Sequence, residues 1–201
     1  MTDYIDLTLK ENNIKLLVVD QGDGTYKLSV AADLVVGDTL ILAAGENHVG
    51  QVGAEGDTIP QTPTISASTI YAAGDAVGGL LTFVNAARVS AGGGVIKSMI
   101  IVDDDQEAGA LELWLFNQTF TATADNAAFD PSEADLENLV GVITTNDGTW
   151  FDTANQSVAD VEASRRYDLT GTSLFGQLVT RGTQTYTAVD DLTVKIGLLQ
   201  D

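Results

Sequence analysis

The 201-residue chain has no cysteine, which excludes a disulfide framework, a zinc knuckle and a cysteine nucleophile. The same absence suits a reducing and an oxidising compartment equally. There is one histidine, His48, in a glycine-rich stretch with no surrounding Ser, Asp or Glu arrangement of a catalytic set. It reads as a loop residue. Basic residues are also scarce, 9 Lys+Arg against 29 Asp+Glu, and they never cluster beyond Arg165-Arg166. A net charge of −20 repels phosphate, so nucleic acid is not expected as a direct partner. Long apolar runs are missing as well. Leu40 to Ala44 and Met99 to Val102 fall far short of the roughly 20 residues of a membrane-spanning helix, and the sequence predicts a soluble protein with no membrane partner. The start, MTDYIDLTLKENN, lacks a basic region followed by an apolar one, so no secretory signal is expected.

Catalytic signatures are missing too. The chain contains no G-x-x-x-x-G-K-[ST], no H-E-x-x-H and no G-x-S-x-G. Gly92-Gly93-Gly94 is followed by Val95 without a helix signal, which reads as a tight strand connection and not as a phosphate cradle. Asp103-Asp104-Asp105 with Glu107 is the densest carboxylate run, but it lacks the calcium-loop pattern and reads as a solvated turn. A carboxylate pair for glycoside hydrolysis depends on separation in space, and 29 acids make such pairs uninformative in sequence. The expectation is therefore no catalytic residue, no cofactor and no metal.

What the chain does hold is β-rich text. IKLLVV and TYKLSV flank Asp20-Gln21-Gly22-Asp23-Gly24, and a Gly after Asp accepts the positive φ of a hairpin turn, so residues 14–30 read as a hairpin. A third strand is expected over 34–44. These 44 residues are too few to bury a core, and form an arm that needs a covering surface. Residues 45–66 hold four Gly and two of the three Pro, and read as a linker. From 67 to 201, short runs such as STIYAAG, GGLLTFVNAARV and DLTVKIGLL recur between Gly, Asn and Asp. Alternation is clearest in Ala110 to Phe116 and Leu192 to Leu198. The fold expected is an all-β, jelly-roll-like β-sandwich with a small N-terminal arm. One short helical insertion is predicted over 131–139, capped by Asp130 with Pro131 first in the helix. Trp114 is assigned to the core. Trp150-Phe151, beside the turn Asn146-Asp147-Gly148, is a candidate interface pair. In the arm the candidate interface residues are Leu16, Val18, Tyr26, Leu28 and Leu40.

Several weak motifs occur in one order: Tyr71 to Val77 (YAAGDAV), Phe83 to Arg88 (FVNAAR), Gly92 to Ile96, Leu111 to Phe116 (LELWLF) and Asp125 to Phe129 (DNAAF). In that order they resemble a family of tailed-bacteriophage virion proteins, over roughly residues 45–145. The resemblance implies a non-enzymatic decoration or cement protein on the outer surface of the capsid. It also implies the major capsid protein as partner and self-association as a homotrimer. A host- or carbohydrate-binding adhesion module is the alternative on the same sandwich, and a glycosidase ranks below both.

Overall fold

The computed structural model describes the strands Lys15–Asp20 and Tyr26–Ala31 as backbone, and residues 55–201. The chain divides into two units, Met1–Gly50 and Gln51–Asp201. In the first, β1 (Lys15–Asp20) and β2 (Tyr26–Ala31) pair antiparallel from Lys15↔Ala31 to Asp20↔Tyr26. This is the hairpin that Asp23-Gly24 predicts. The third strand expected over 34–44 lies outside the described residues, as do Leu40 and His48.

The second unit is an all-β sandwich. Its strands are β3 (Glu55–Gln61), β4 (Ala76–Phe83), β5 (Gly93–Asp103), β6 (Leu111–Phe116), β7 (Leu139–Thr144), β8 (Trp150–Asp152), β9 (Ser157–Asp168), β10 (Leu174–Thr180) and β11 (Leu192–Gln200). They form a four-stranded sheet in the order β4-β10-β6-β7 and a five-stranded sheet in the order β3-β11-β5-β9-β8. All the pairings are antiparallel. Period-2 alternation sends Leu111, Leu113 and Leu115 of one sheet and Ile96, Met99, Ile101, Leu192, Val194 and Ile196 of the other into one buried cluster. Each such side chain contributes about 1.5–3 kcal/mol on burial, and together they hold the two layers face to face.

Four expectations need correction. The linker over 45–66 is interrupted, because Glu55–Gln61 is β3, paired with β11 from Glu55↔Gln200 to Gln61↔Val194. Pro60 disguises it: a residue without an N–H is tolerated on an edge strand, and β3 is one. The run STIYAAG is irregular and not a strand. Its N–H groups at Ser68, Tyr71 and Gly74 reach the carbonyls of Tyr186, Gln184 and Thr180, a spacing of three that no ladder has. The helix α1 is Glu133–Leu136, capped by the Ser132 hydroxyl on the Asp135 N–H and not by Asp130; Leu139 and Val140 belong to β7. Trp114 leaves the core, since Leu113 and Leu115 on either side already point inward. It lies half-buried on the outer face of the four-stranded sheet, its ring 5.1 Å from that of Phe129.

That outer face is covered by the segment 117–132. Gln177, in the middle of β10 and fully buried, donates to the carbonyls of Gly78 (2.9 Å) and Thr123 (2.6 Å) and accepts from the Thr123 N–H (3.0 Å). Phe116 meets Phe120 on the same side at 4.1 Å.

Candidate functional site

Two of the five motifs of the virion-protein resemblance meet in space. Asp125 is the centre of the first contact. Its Oδ1 accepts from the Tyr71 hydroxyl (2.8 Å) and the Gly78 N–H (2.6 Å), and its Oδ2 accepts from the Ser66 hydroxyl (2.5 Å). The Tyr71 oxygen accepts in turn from the Ser66 N–H (2.9 Å). Backbone bonds extend this contact: Ala76 N–H to Ala127 (2.8 Å), Asn126 N–H to Ala76 (2.9 Å) and Phe129 N–H to Gly74 (2.9 Å), with a bridge between Asp75 and Ala128. Thus YAAGDAV and DNAAF, some fifty residues apart, form one clasp. Burial, with Asp125 beside it, pushes the Tyr71 hydroxyl well above the usual phenol range, so it stays a donor. Gly78 has φ +71°, and a Cβ there would lie 2.5 Å from that of Pro63, so the clasp requires glycine at this position.

The other motifs have comparable tasks. In FVNAAR, Asn85 turns the chain with φ 57°, its carbonyl accepting from Gln200 Nε2 (2.7 Å). The Ala86 carbonyl accepts from the buried Tyr167 hydroxyl, which burial pushes up to about 12. The glycine triplet does not simply connect strands: Gly93 and Gly94 open β5, where the Tyr167 and Leu199 carbonyls leave no room for a Cβ. LELWLF supplies core and outer-face residues as described.

The acidic run is a turn, with Asp104 and Glu107 exposed as expected of a solvated one, but its carboxylates also tie loops and Asp103 is buried. Asp103 is wholly buried and accepts from the N–H groups of Asp105 (3.0 Å) and Ala108 (2.8 Å). Burial raises its pKa. Asp104 accepts from Gln156 Nε2 (2.9 Å), Asp105 from the Thr187 N–H (2.7 Å) and Glu107 from the Thr185 N–H (3.3 Å). The carboxylates therefore fasten the loops 153–156 and 185–187 to the end of β5. Among the described residues, no group of three or more His, Cys, Asp or Glu is arranged to hold a metal ion.

The Trp150-Phe151 pair is split by the strand it occupies. Trp150 is half-buried against the core and donates from Nε1 to the Gly109 carbonyl (3.0 Å). Phe151, next along β8, points outward and is 63% exposed. Only Phe151 of the pair is therefore free to meet a partner. In the arm, the register sets Leu16 opposite Val30, Val18 opposite Leu28 and Tyr26 opposite Asp20.

The surface carries open hollows. One of about 430 Å³ is lined by Gln118, Thr119, Thr170, Thr172, Ser173 and Phe175. Another, of about 390 Å³, includes Glu55, Asn85, Arg88 and Gln200, with Arg88 Nε 3.8 Å from Glu55. Neither brings together a nucleophile and a base. No protein-family model matches the chain, and no curated protein matches it either.

Proposed function

We infer that the chain is a non-enzymatic virion structural protein that decorates and stabilises the outside of a tailed-phage capsid by bridging subunits of the major capsid protein. The observation that carries this reading is the clasp: YAAGDAV and DNAAF, two of the motifs behind the resemblance, are engaged in holding the sandwich together. A rigid outward module is what such a role demands.

The strand order supports a jelly roll. With β8 and β9 counted as one arm, eight strands fall into β3-β11-β5-β9 and β4-β10-β6-β7, as two interleaved Greek keys require. The charge of −20 suits a surface kept away from packaged DNA. The hairpin β1–β2 is the docking arm in this reading, holding a capsid subunit through main-chain hydrogen bonds or the candidate residues Leu16, Val18, Tyr26, Leu28 and Leu40. Repetition over the shell then multiplies a modest affinity into avidity.

The test is electron microscopy of particles assembled with the full chain, without it, and with a variant lacking residues 1–44. Density at regular shell sites for the full chain, lost for the truncated one, is the expected result. Normal decoration by the truncated chain refutes the arm assignment. Density at the tail, or none, refutes decoration and favours the adhesion module.

A further inference from the structure

The two sheets differ on their outward faces. The four-stranded sheet is covered by residues 117–132, whereas the five-stranded sheet turns Ile100 and Val102 of β5, Val158 of β9 and Phe151 of β8 outward, half-buried or exposed. Register aligns them: Phe151 opposes Val158, which opposes Val102. In the next row Ile100 sits between Lys195 of β11 and Asp160 of β9.

The charge on this face is unlike that of the molecule. Residues 51–201 contain six Lys+Arg against 21 Asp+Glu. Three of the six, Lys97, Arg166 and Lys195, stand on this face, against Asp160, Glu162 and Asp168. On this face the two signs are equal in number.

We propose that the outer face of the five-stranded sheet binds a second copy of this chain, face to face, about a two-fold axis running along β5. The arrangement follows from the row Lys195–Ile100–Asp160. The two charges flank Ile100 by one strand each, about 4.8 Å on either side. Rotation about β5 exchanges the sides, so Lys195 of one copy faces Asp160 of the other, twice, while Ile100 and Val102 meet their own counterparts. In the row of Ile100 this isologous contact is self-complementary, each charge meeting its opposite; of the other outward residues, Val158 faces Thr193 of the second copy and Lys97, on the axis, faces its own counterpart. Two sheets packed this way lie about 10 Å apart, within reach of lysine. The contact is two-fold, unlike the threefold association that the resemblance implies, and it is independent of where the protein sits on a particle.

Light scattering on the full chain after size exclusion tests it. The wild type is expected at twice 21.1 kDa. Lys195→Glu and Asp160→Lys each set like charges across the axis twice, and each is expected to weaken the dimer at least about tenfold. An equimolar mixture of the two variants restores both attractive pairs, and is expected to recover the dimer that neither forms alone. Both positions are on the surface, and recovery on mixing itself shows that the variants are folded. A wild type of one chain at every concentration overturns the proposal, including the case where residues 1–50 cover this face within the same chain. A three-chain mass, or a dimer indifferent to both reversals, overturns it equally.

Discussion

Replacing Asp125 with alanine is expected to cost about 3–5 kcal/mol, because one carboxylate serves three donors, two of them buried. The Tyr71 side chain is 1% exposed and Gly78 is buried, so each is left with an unpaired donor at about 1–3 kcal/mol. Ser66 is half-buried and turns its hydroxyl to solvent at little cost. Asp125→Asn separates charge from hydrogen bonding. With its amide oxygen in the place of Oδ1 it still accepts from Tyr71 and Gly78, and the new amine meets a Ser66 hydroxyl that rotates to accept. That variant is expected to lose only about 1 kcal/mol. Urea unfolding followed by tryptophan fluorescence reads the difference, since both tryptophans, Trp114 and Trp150, lie in Gln51–Asp201. The midpoint shifts with an unchanged slope if the clasp acts on the folded state. An alanine variant within about 1 kcal/mol of wild type, or an asparagine variant as damaged as the alanine one, refutes the assignment of Asp125 as the centre of the clasp.

Tyr186 tests the opposite case. Its hydroxyl is wholly buried and has no hydrogen-bond partner among the described residues, so Tyr186→Phe is expected to raise stability by about 1 kcal/mol, seen as a higher urea midpoint; a fall would reveal an unrecognised partner. Glu112 provides a pH dependence. Arg181, 2.7 Å away, holds its carboxyl below the usual range against a smaller opposing effect of burial, and Trp114 Nε1 adds a donor at 2.9 Å. A depressed folded pKa gives stability that is complete above the unfolded value and lost as the pH falls through the folded one. Because Arg181 is 46% exposed, Glu112→Gln is expected to cost less than about 1 kcal/mol at neutral pH, and the difference should shrink as the pH falls below the free glutamate value of about 4.3 and vanish once the folded carboxyl is protonated. A melting difference that persists in acid contradicts the ion pair. Buried Asp103 runs the other way: its folded pKa lies above the unfolded one, so its ionisation removes stability as the pH rises between the two.

The strands that read most clearly in sequence are those with one wet and one dry face. Leu111 to Phe116 and Leu192 to Leu198 alternate, and both are strands. The pairing of β1 with β2 was legible because Asp23-Gly24 between two β-rich runs is a local reversal signal in the sequence. β3 was not, because Gly56 and Pro60 are linker residues by composition and an edge strand by position. β9 carries no such signal, because SVADVEASRRYD is charged on its outward side; half of a strand's text describes its solvent and not its sheet. The alternation that identified β6 also contained the signal for Trp114, since a residue between two inward leucines points outward. The role of Asp125 had no such signal. Its three partners lie 47 to 59 residues away, and no local pattern encodes that distance.

The place of β5 bears on how the chain acquires its structure. This strand, GGVIKSMIIVD, is rich in aliphatic residues, and both neighbours come later in the sequence, β9 at 157–168 and β11 at 192–200. No hairpin with an adjacent strand protects it. During synthesis its ladder groups stay open until more than fifty further residues have left the ribosome, and closure of the sheet waits longer still for β11. High contact order of this kind slows folding and leaves an adhesive segment exposed between nascent molecules. The surplus of carboxylates then serves before the fold exists, holding unfinished chains apart by repulsion. Refolding in acid, where those carboxylates are neutralised, removes that protection while the wait for β11 remains, and aggregation through β5 becomes the competing outcome.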